Sequence, residues 1–136
     1  MQGADGCLFI KLPARAENLA VVRHAVGNVA QQYGMTEPGV DDLRTAVTEA
    51  CSNVVIHAYG EWQMGPLEVE ATCKADEFGV VVRDYGTGFR SPVASPRESL
   101  RLGLALISTL ASSLDVSEHD AGGTEVSMRL PLLGLP

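Results

Sequence analysis

Residues Ala46 to Gly60 read AVTEACSNVVIHAYG, a run rich in Ala and Val that carries Glu49, Asn53 and His57 at a spacing of four. Residues four apart lie one above the other on an α-helix. Projected at about 100° per residue, Leu43, Val47, Ala50, Val54 and Ala58 fall in one arc that must face a sheet, and the three polar residues form a strip along its border. A strip in that position is half-buried, where a carboxylate is desolvated and still reaches a ligand. The helix alone leaves two readings open: a ligand site, or a solvated helix edge with an Asn–Glu hydrogen bond.

Working outward, this helix runs from about Val40 to Tyr59 and stops at Gly60, with Asp41 and Asp42 placing negative charge at its start. Upstream, CLFIKL (7–12) alternates as a strand that Pro13 ends. The segment AENLAVVRHAVGNVAQQYG then repeats Leu19, Val22, Val26, Val29 and Tyr33 at three and four, an amphipathic helix closed by Gly34. MTEPG reads as a connection. Downstream, LEVEATCK (67–74) and GVVVRD (79–84) read as a hairpin turning at 75–78, and YGTGFRSPVASPRESLR as a mobile loop. LGLALISTLASSL is helical, DVSEHD a short strand, AGG a turn and TEVSMRLPL the last strand. This order predicts an α/β two-layer sandwich in one domain spanning 1–136 rather than a βαβ repeat.

The chain has 136 residues, 46% apolar and 20% charged, with a formal net charge of -7. That balance carries no basic footprint for nucleic acid. No apolar run approaches the ~18–20 residues of a membrane span, and MQGADGCLFIKLPA lacks the charged start and long apolar core of a signal peptide, so a cytoplasmic protein is expected. Cys7, Cys51 and Cys73 are widely separated and form no C-x-x-C pair, and they read as small apolar residues in a reducing compartment.

Three further constellations follow the helix. Asp84-Tyr85-Gly86-Thr87-Gly88-Phe89 comes directly after an apolar strand. A carboxylate there accepts a hydrogen bond from an amino group on a flat ligand, and the glycines let backbone approach it. A long Pro- and Ser-rich loop follows instead of a helix, which excludes a dinucleotide-binding fingerprint. Leu102-Gly103-Leu104 opens the third helix, where unpaired N–H groups suit phosphate; a simple helix entry is the alternative. Gly122-Gly123-Thr124 precedes the last strand and is most simply a hairpin turn.

In this order, E-x-x-x-N on a helix, D-x-G-x-G after a strand, a flexible lid, G-L at a helix start and G-T before a strand resemble the ATP-site motifs of the GHKL superfamily. Within it, TEACSNVVIHAY is similar to the anti-sigma-factor serine kinase family, the RsbW/SpoIIAB-like branch. Length agrees with that branch, since a sensor histidine kinase needs an upstream dimerisation helix bearing its phospho-acceptor His. The resemblance implies a mostly antiparallel mixed sheet covered on one face by helices. It implies ATP and Mg²⁺ as cofactors, Glu49 as general base, and Asn53 as the Mg²⁺ ligand. On the same resemblance Asp84 would bind the adenine amino group, Gly86 and Gly88 would permit close approach, and Thr124 would close the pocket. Residues 90–102 form the ATP lid, and Gly103 with Leu104 offer helix N–H groups to phosphate. Arg23 is the implied partner contact, and His57 the structural end of the strip.

The implied activity is that of an anti-sigma factor in bacterial transcription regulation and stress response. Such a protein sequesters a sigma factor and phosphorylates a serine of a STAS-domain anti-sigma antagonist, usually as a homodimer. The chain departs from the family's G-x-G-L at one point, where Arg101 replaces the first glycine and cannot easily adopt φ > 0. Arg90, Arg97 and Arg101 are either phosphate contacts or solvated loop charges. Two other functions therefore stay in view: a sigma-binding module with little or no transfer, and a serine kinase acting on STAS proteins in a signalling complex without binding sigma.

Overall fold

A computed structural model describes residues 6–59, 64–86, 97–118 and 122–132, with 97–101 as backbone. In chain order the elements are β1 (Gly6–Pro13), α1 (Asn18–Gln32), α2 (Glu37–Asn53) continued by a π-helical turn (Val54–Ala58), β2 (Pro66–Lys74), β3 (Glu77–Arg83), α3 (Arg97–Leu110), β4 (Ser113–Glu118) and β5 (Thr124–Pro131). The strands form one sheet in the order β1-β2-β3-β5-β4, and every pairing is antiparallel.

Strict alternation builds the inner layer. Ile10 faces Val69, Val69 faces Val82, Val82 faces Val126, and Val126 faces Val116. One rung away, Leu8, Ala71, Val80, Met128 and Leu114 repeat the pattern. Successive residues of a strand point to opposite faces, so these rungs present one apolar surface to the helices. The outer surface is charged: Arg83 reaches Glu70 at 2.9 Å and Glu125 at 2.8 Å.

The predicted arc of α2 is the part that covers this surface. Leu43, Val47, Ala50, Val54 and Ala58 are all at most 4% exposed. Burying each large aliphatic side chain contributes roughly 1.5–3 kcal/mol, which fixes the rotation of the helix and therefore the place of its polar border. On α1, Val22, Val26 and Ala30 are buried, whereas Tyr33 is 51% exposed. Tyr33 falls off the face because the helix ends at Gln32. The Met35 N–H donates to Ala30 and the Gly34 N–H to Gln31, with Gly34 at φ +98, a left-handed closure that glycine adopts freely.

Three boundaries differ from expectation: the third helix ends at Leu110 and β4 already begins at Ser113, inside the run expected to be helical, and two helix starts move as follows. The second helix begins inside MTEPG: Thr36 is its N-cap, accepting from the Gly39 N–H at 3.3 Å, with Glu37 in the first turn and Pro38 where a missing N–H costs nothing. The third helix starts at Arg97, so residues 97–102 of the expected lid are helical. Among the described residues no helix is long and apolar enough to cross a membrane.

Candidate functional site

Glu49 and Asn53 keep the geometry that their spacing dictates, one turn apart on α2. Glu49 is half-buried and Asn53 is 3% exposed. α3 brings Gly103 directly over them. A Cβ on Gly103 would lie 2.9 Å from Glu49 Oε2 and 3.2–3.3 Å from the two amide atoms of Asn53. The backbone of α3 comes this close only because residue 103 has no side chain. Gly103 therefore joins the predicted pair, but from within a helix rather than at its first turn, because that helix has already begun at Arg97. The expected offer of helix-start N–H groups belongs to the turn at 97–100 instead. Leu104 is half-buried against the core, a packing position.

Asn53 Nδ2 is buried and has no hydrogen-bond partner among the described residues. An unpaired buried amide costs about 1–3 kcal/mol, and the oxygen and nitrogen of an amide exchange by a half-turn of the side chain, so either atom can meet a ligand. This orphaned group fits the resemblance's single metal or phosphate contact.

The π-helical turn begins at the next residue, Val54. Its wider winding turns His57 away from the line through Glu49 and Asn53, and His57 is 7% exposed. Burial lowers its pKa below the ordinary 6.5. Among the described residues His57 Nε2 has no hydrogen-bond partner.

A second cluster forms where β3 and β5 end. Asp84 continues the inward series Phe78, Val80, Val82, and Thr124 the series Leu130, Met128, Val126. Asp84 and Thr124 are 1% and 4% exposed, the polar last rung of an apolar layer. Gly123, at φ +106, lies so close to the Asp84 carbonyl that a Cβ there would overlap it. The Asp84 carboxylate accepts from the Gly86 N–H at 3.0 Å. Gly86 also makes a close approach, yet its neighbour is the Ala58 carbonyl, so its missing Cβ serves the packing of this turn on the end of the α2 extension. Gly88 and Arg90 lie outside the described residues.

Tyr59 ties the end of the α2 extension to the turn after Asp84, and the sequence carries no signal for that role. Its hydroxyl donates to the Pro66 carbonyl at 2.6 Å and accepts from the Tyr85 N–H at 2.9 Å. Burial raises the Tyr59 pKa, and the Tyr85 N–H pulls the other way. Gly65 lies against its ring, leaving no space for a side chain. On the outer face the Tyr85 hydroxyl donates to Glu68 at 2.9 Å, so the turn after Asp84 is held from both sides of the sheet. Arg23 is half-buried on α1, on a helix outside both clusters.

A cavity of about 400 Å³ lies between Lys11, Leu12, Pro13, Arg15 and Met64, Gly65, Pro66, and it shares no residue with either cluster. Buried polar groups without partners mark the candidate site better than volume does.

Residues 12–130 match the family model of the histidine kinase-like ATPase domain. The serine-protein kinase RsbW of Bacillus cereus (strain Q1) is 34% identical over 128 residues, covering 85% of this chain and 79% of the relative. RsbW of Bacillus thuringiensis subsp. konkukian is 32% identical over the same shares. In fold, the chain is similar to the RsbU and RsbW domains of Rv1364c from Mycobacterium tuberculosis, with a TM-score of 0.67 at 23% identity over 90% of this chain and 31% of that longer one. It is also similar to the SiaB-SiaC complex structure from Pseudomonas aeruginosa, with a TM-score of 0.64 at 17% identity over 93% of this chain and 91% of that one. The chain belongs to the histidine kinase-like ATPase family of the GHKL superfamily, and within it to the RsbW-type anti-sigma kinases.

Proposed function

We propose that the chain is an ATP- and Mg²⁺-dependent protein-serine kinase that sequesters a sigma factor and phosphorylates a serine of a STAS-type antagonist. The observation that carries this reading is the convergence of Glu49, the unpaired amide of Asn53 and Gly103. A protein that only binds has no chemical use for a half-buried carboxylate one turn from an orphaned amide. The family relatives named serine-protein kinase support the same reading.

In this mechanism Asp84 accepts a hydrogen bond from the adenine amino group, and Thr124 borders the same pocket with its hydroxyl. Asn53 would hold Mg²⁺ through its amide oxygen. The metal, when bound, spreads negative charge on the transferring phosphoryl group. Glu49 takes the proton of the attacking serine hydroxyl, a contribution of roughly 10²–10⁴ in rate. Gly103 covers Glu49 and Asn53 in the described conformation, so α3 must shift before phosphate reaches them.

The test has two arms. Labelled ATP and Mg²⁺ with a candidate STAS protein yield phosphoserine, and a co-purifying sigma factor is released by the unphosphorylated antagonist. ATP binding without phosphoserine replaces this reading with the sigma-binding module. Phosphoserine without sigma capture replaces it with a serine kinase confined to STAS proteins in a signalling complex.

A further inference from the structure

Cys7 and Cys73 stand 66 positions apart, and the sheet brings their Sγ atoms to 3.4 Å. An irregularity in β1 causes the approach. Gly6 faces Thr72 and Leu8 faces Ala71, so Cys7 is the extra residue of a β-bulge. In a regular strand Cys7 would share the outer face with Phe9 and Lys11. The bulge re-aims it, and Cys7 and Leu8 are both half-buried and packed on the core. Cys73 arrives from β2 by ordinary alternation after Leu67, Val69 and Ala71. The third cysteine takes no part: Cys51 is fully buried in α2, and burial pushes its thiol up to about 12.

We propose that Cys7 and Cys73 form a reversible thiol–disulfide site, oxidised by hydrogen peroxide, that ties the first strand to the second. Cys7 is not opposite Cys73 but diagonal to it, beyond the Gly6–Thr72 pair, and the bulge is what brings the two sulfurs within reach of each other. The sulfurs must close from 3.4 Å to about 2.05 Å, a movement that χ1 rotations on a bulged edge strand supply. Burial and the neighbouring Cys7 raise the pKa of the Cys73 thiol. Cys7 lies on the edge strand of the sheet, so its sulfur is assigned the first attack.

The Cys7 sulfur attacks one peroxide oxygen, the O–O bond breaks, and one water leaves a sulfenic acid on Cys7. The Cys73 sulfur then displaces that oxygen, forming the S–S bond and releasing a second water. Two thiols and one peroxide give one disulfide and two waters; the sulfurs lose the two electrons that the peroxide gains. A dithiol reductant reverses the step and is itself oxidised to a disulfide.

The cross-link closes a loop that contains α1 and α2, which restricts the unfolded chain. Cys73 faces Phe78 at one end of β3, whereas Asp84 follows Arg83 at the other. The tie therefore stabilises the fold and leaves nucleotide binding intact.

Treating the full-length protein with a few equivalents of hydrogen peroxide, followed by alkylation in denaturant and peptide mass mapping, tests this directly. The expected result is an intramolecular Cys7–Cys73 disulfide with Cys51 alkylated. The melting temperature should rise by roughly 5–10 °C and return after dithiothreitol. Cys7→Ser and Cys73→Ser should each abolish that rise. No cross-link, a sulfinic acid at either position, a bridge to Cys51, or a cross-linked dimer overturns the proposal.

Discussion

Asp84 and Thr124 exchange both of their backbone hydrogen bonds, the Asp84 N–H donating to Thr124 at 3.0 Å and the Thr124 N–H to Asp84 at 3.3 Å. Side chains of such a pair stand on the same face of the sheet. The carboxylate and the hydroxyl are therefore presented together, beside the last apolar rung and beneath the helices. A hydrogen bond to a charged group contributes about 1.5–3 kcal/mol, so Asp84→Asn should weaken ATP binding roughly 10- to 100-fold in calorimetry. A purine triphosphate lacking the exocyclic amino group should bind both proteins equally weakly; unchanged ATP affinity in the variant refutes the adenine assignment.

Gly122 and Gly123 have similar backbone angles, φ +91 and +106, and different surroundings. Among the described residues Gly122 has nothing within 4 Å of an added Cβ, whereas Gly123 lies against the Asp84 carbonyl. Gly122→Ala should cost about 1–2 kcal/mol, the left-handed penalty alone. Gly123→Ala should cost at least ~3 kcal/mol, because backbone must also move. Denaturant midpoints of the two variants measure the difference; equal losses would mean that contact with Asp84 is not tight.

Gly103→Ala sets two effects against each other. Alanine in a helix interior gains about 1 kcal/mol over glycine, while the new methyl meets Glu49 Oε2 at 2.9 Å. The carboxylate is the end of a flexible side chain and can yield. Stability should therefore change by less than about 1 kcal/mol, while phosphotransfer falls at least ~10-fold because Glu49 and Asn53 are displaced. Thermal melting and a transfer assay on the same variant separate the two.

Tyr59→Phe keeps the ring and removes the hydroxyl that bridges Pro66 and Tyr85. The Tyr85 N–H loses its acceptor, a loss of about 1–3 kcal/mol, and the turn carrying Asp84 loosens. ATP affinity should fall about 10-fold, with the transfer rate at saturating ATP unchanged. A fall in that rate at constant affinity would assign Tyr59 to the chemistry instead.

His57 makes stability depend on pH. Burial disfavours its imidazolium, so the folded-state pKa lies below the ordinary 6.5. As pH falls through 6.5 the unfolded chain takes up the proton first, so stability declines and levels off below the lower folded-state value. Urea denaturation of wild type at pH 7.5 and 5.5 should show a larger loss than in His57→Asn. Equal losses would remove His57 as the cause.

Much of this was legible in the sequence where periodicity was strong. The arc of Leu43, Val47, Ala50, Val54 and Ala58 and the alternation of β2 and β3 reach the structure as predicted, because burial fixes them. The boundary at Thr36 was readable from Thr36-Glu37-Pro38, a cap, an acid and a helix-opening proline, but the turn-like composition of MTEPG hid it. The π-helical turn after Asn53 had no signal in the sequence. The true neighbour of Gly86 and the pairing of Cys7 with Cys73 were equally hidden, because both depend on contacts between distant segments.

The most direct test compares wild type with Glu49→Gln, each given Mg²⁺, γ-labelled ATP and a STAS-domain antagonist, while ATP affinity is measured in parallel. The account predicts phosphoserine on the antagonist with wild type, a loss of about 10²-fold or more with Glu49→Gln, and equal ATP binding by both. Equal labelling by the two proteins, or none by wild type that binds ATP, would contradict it.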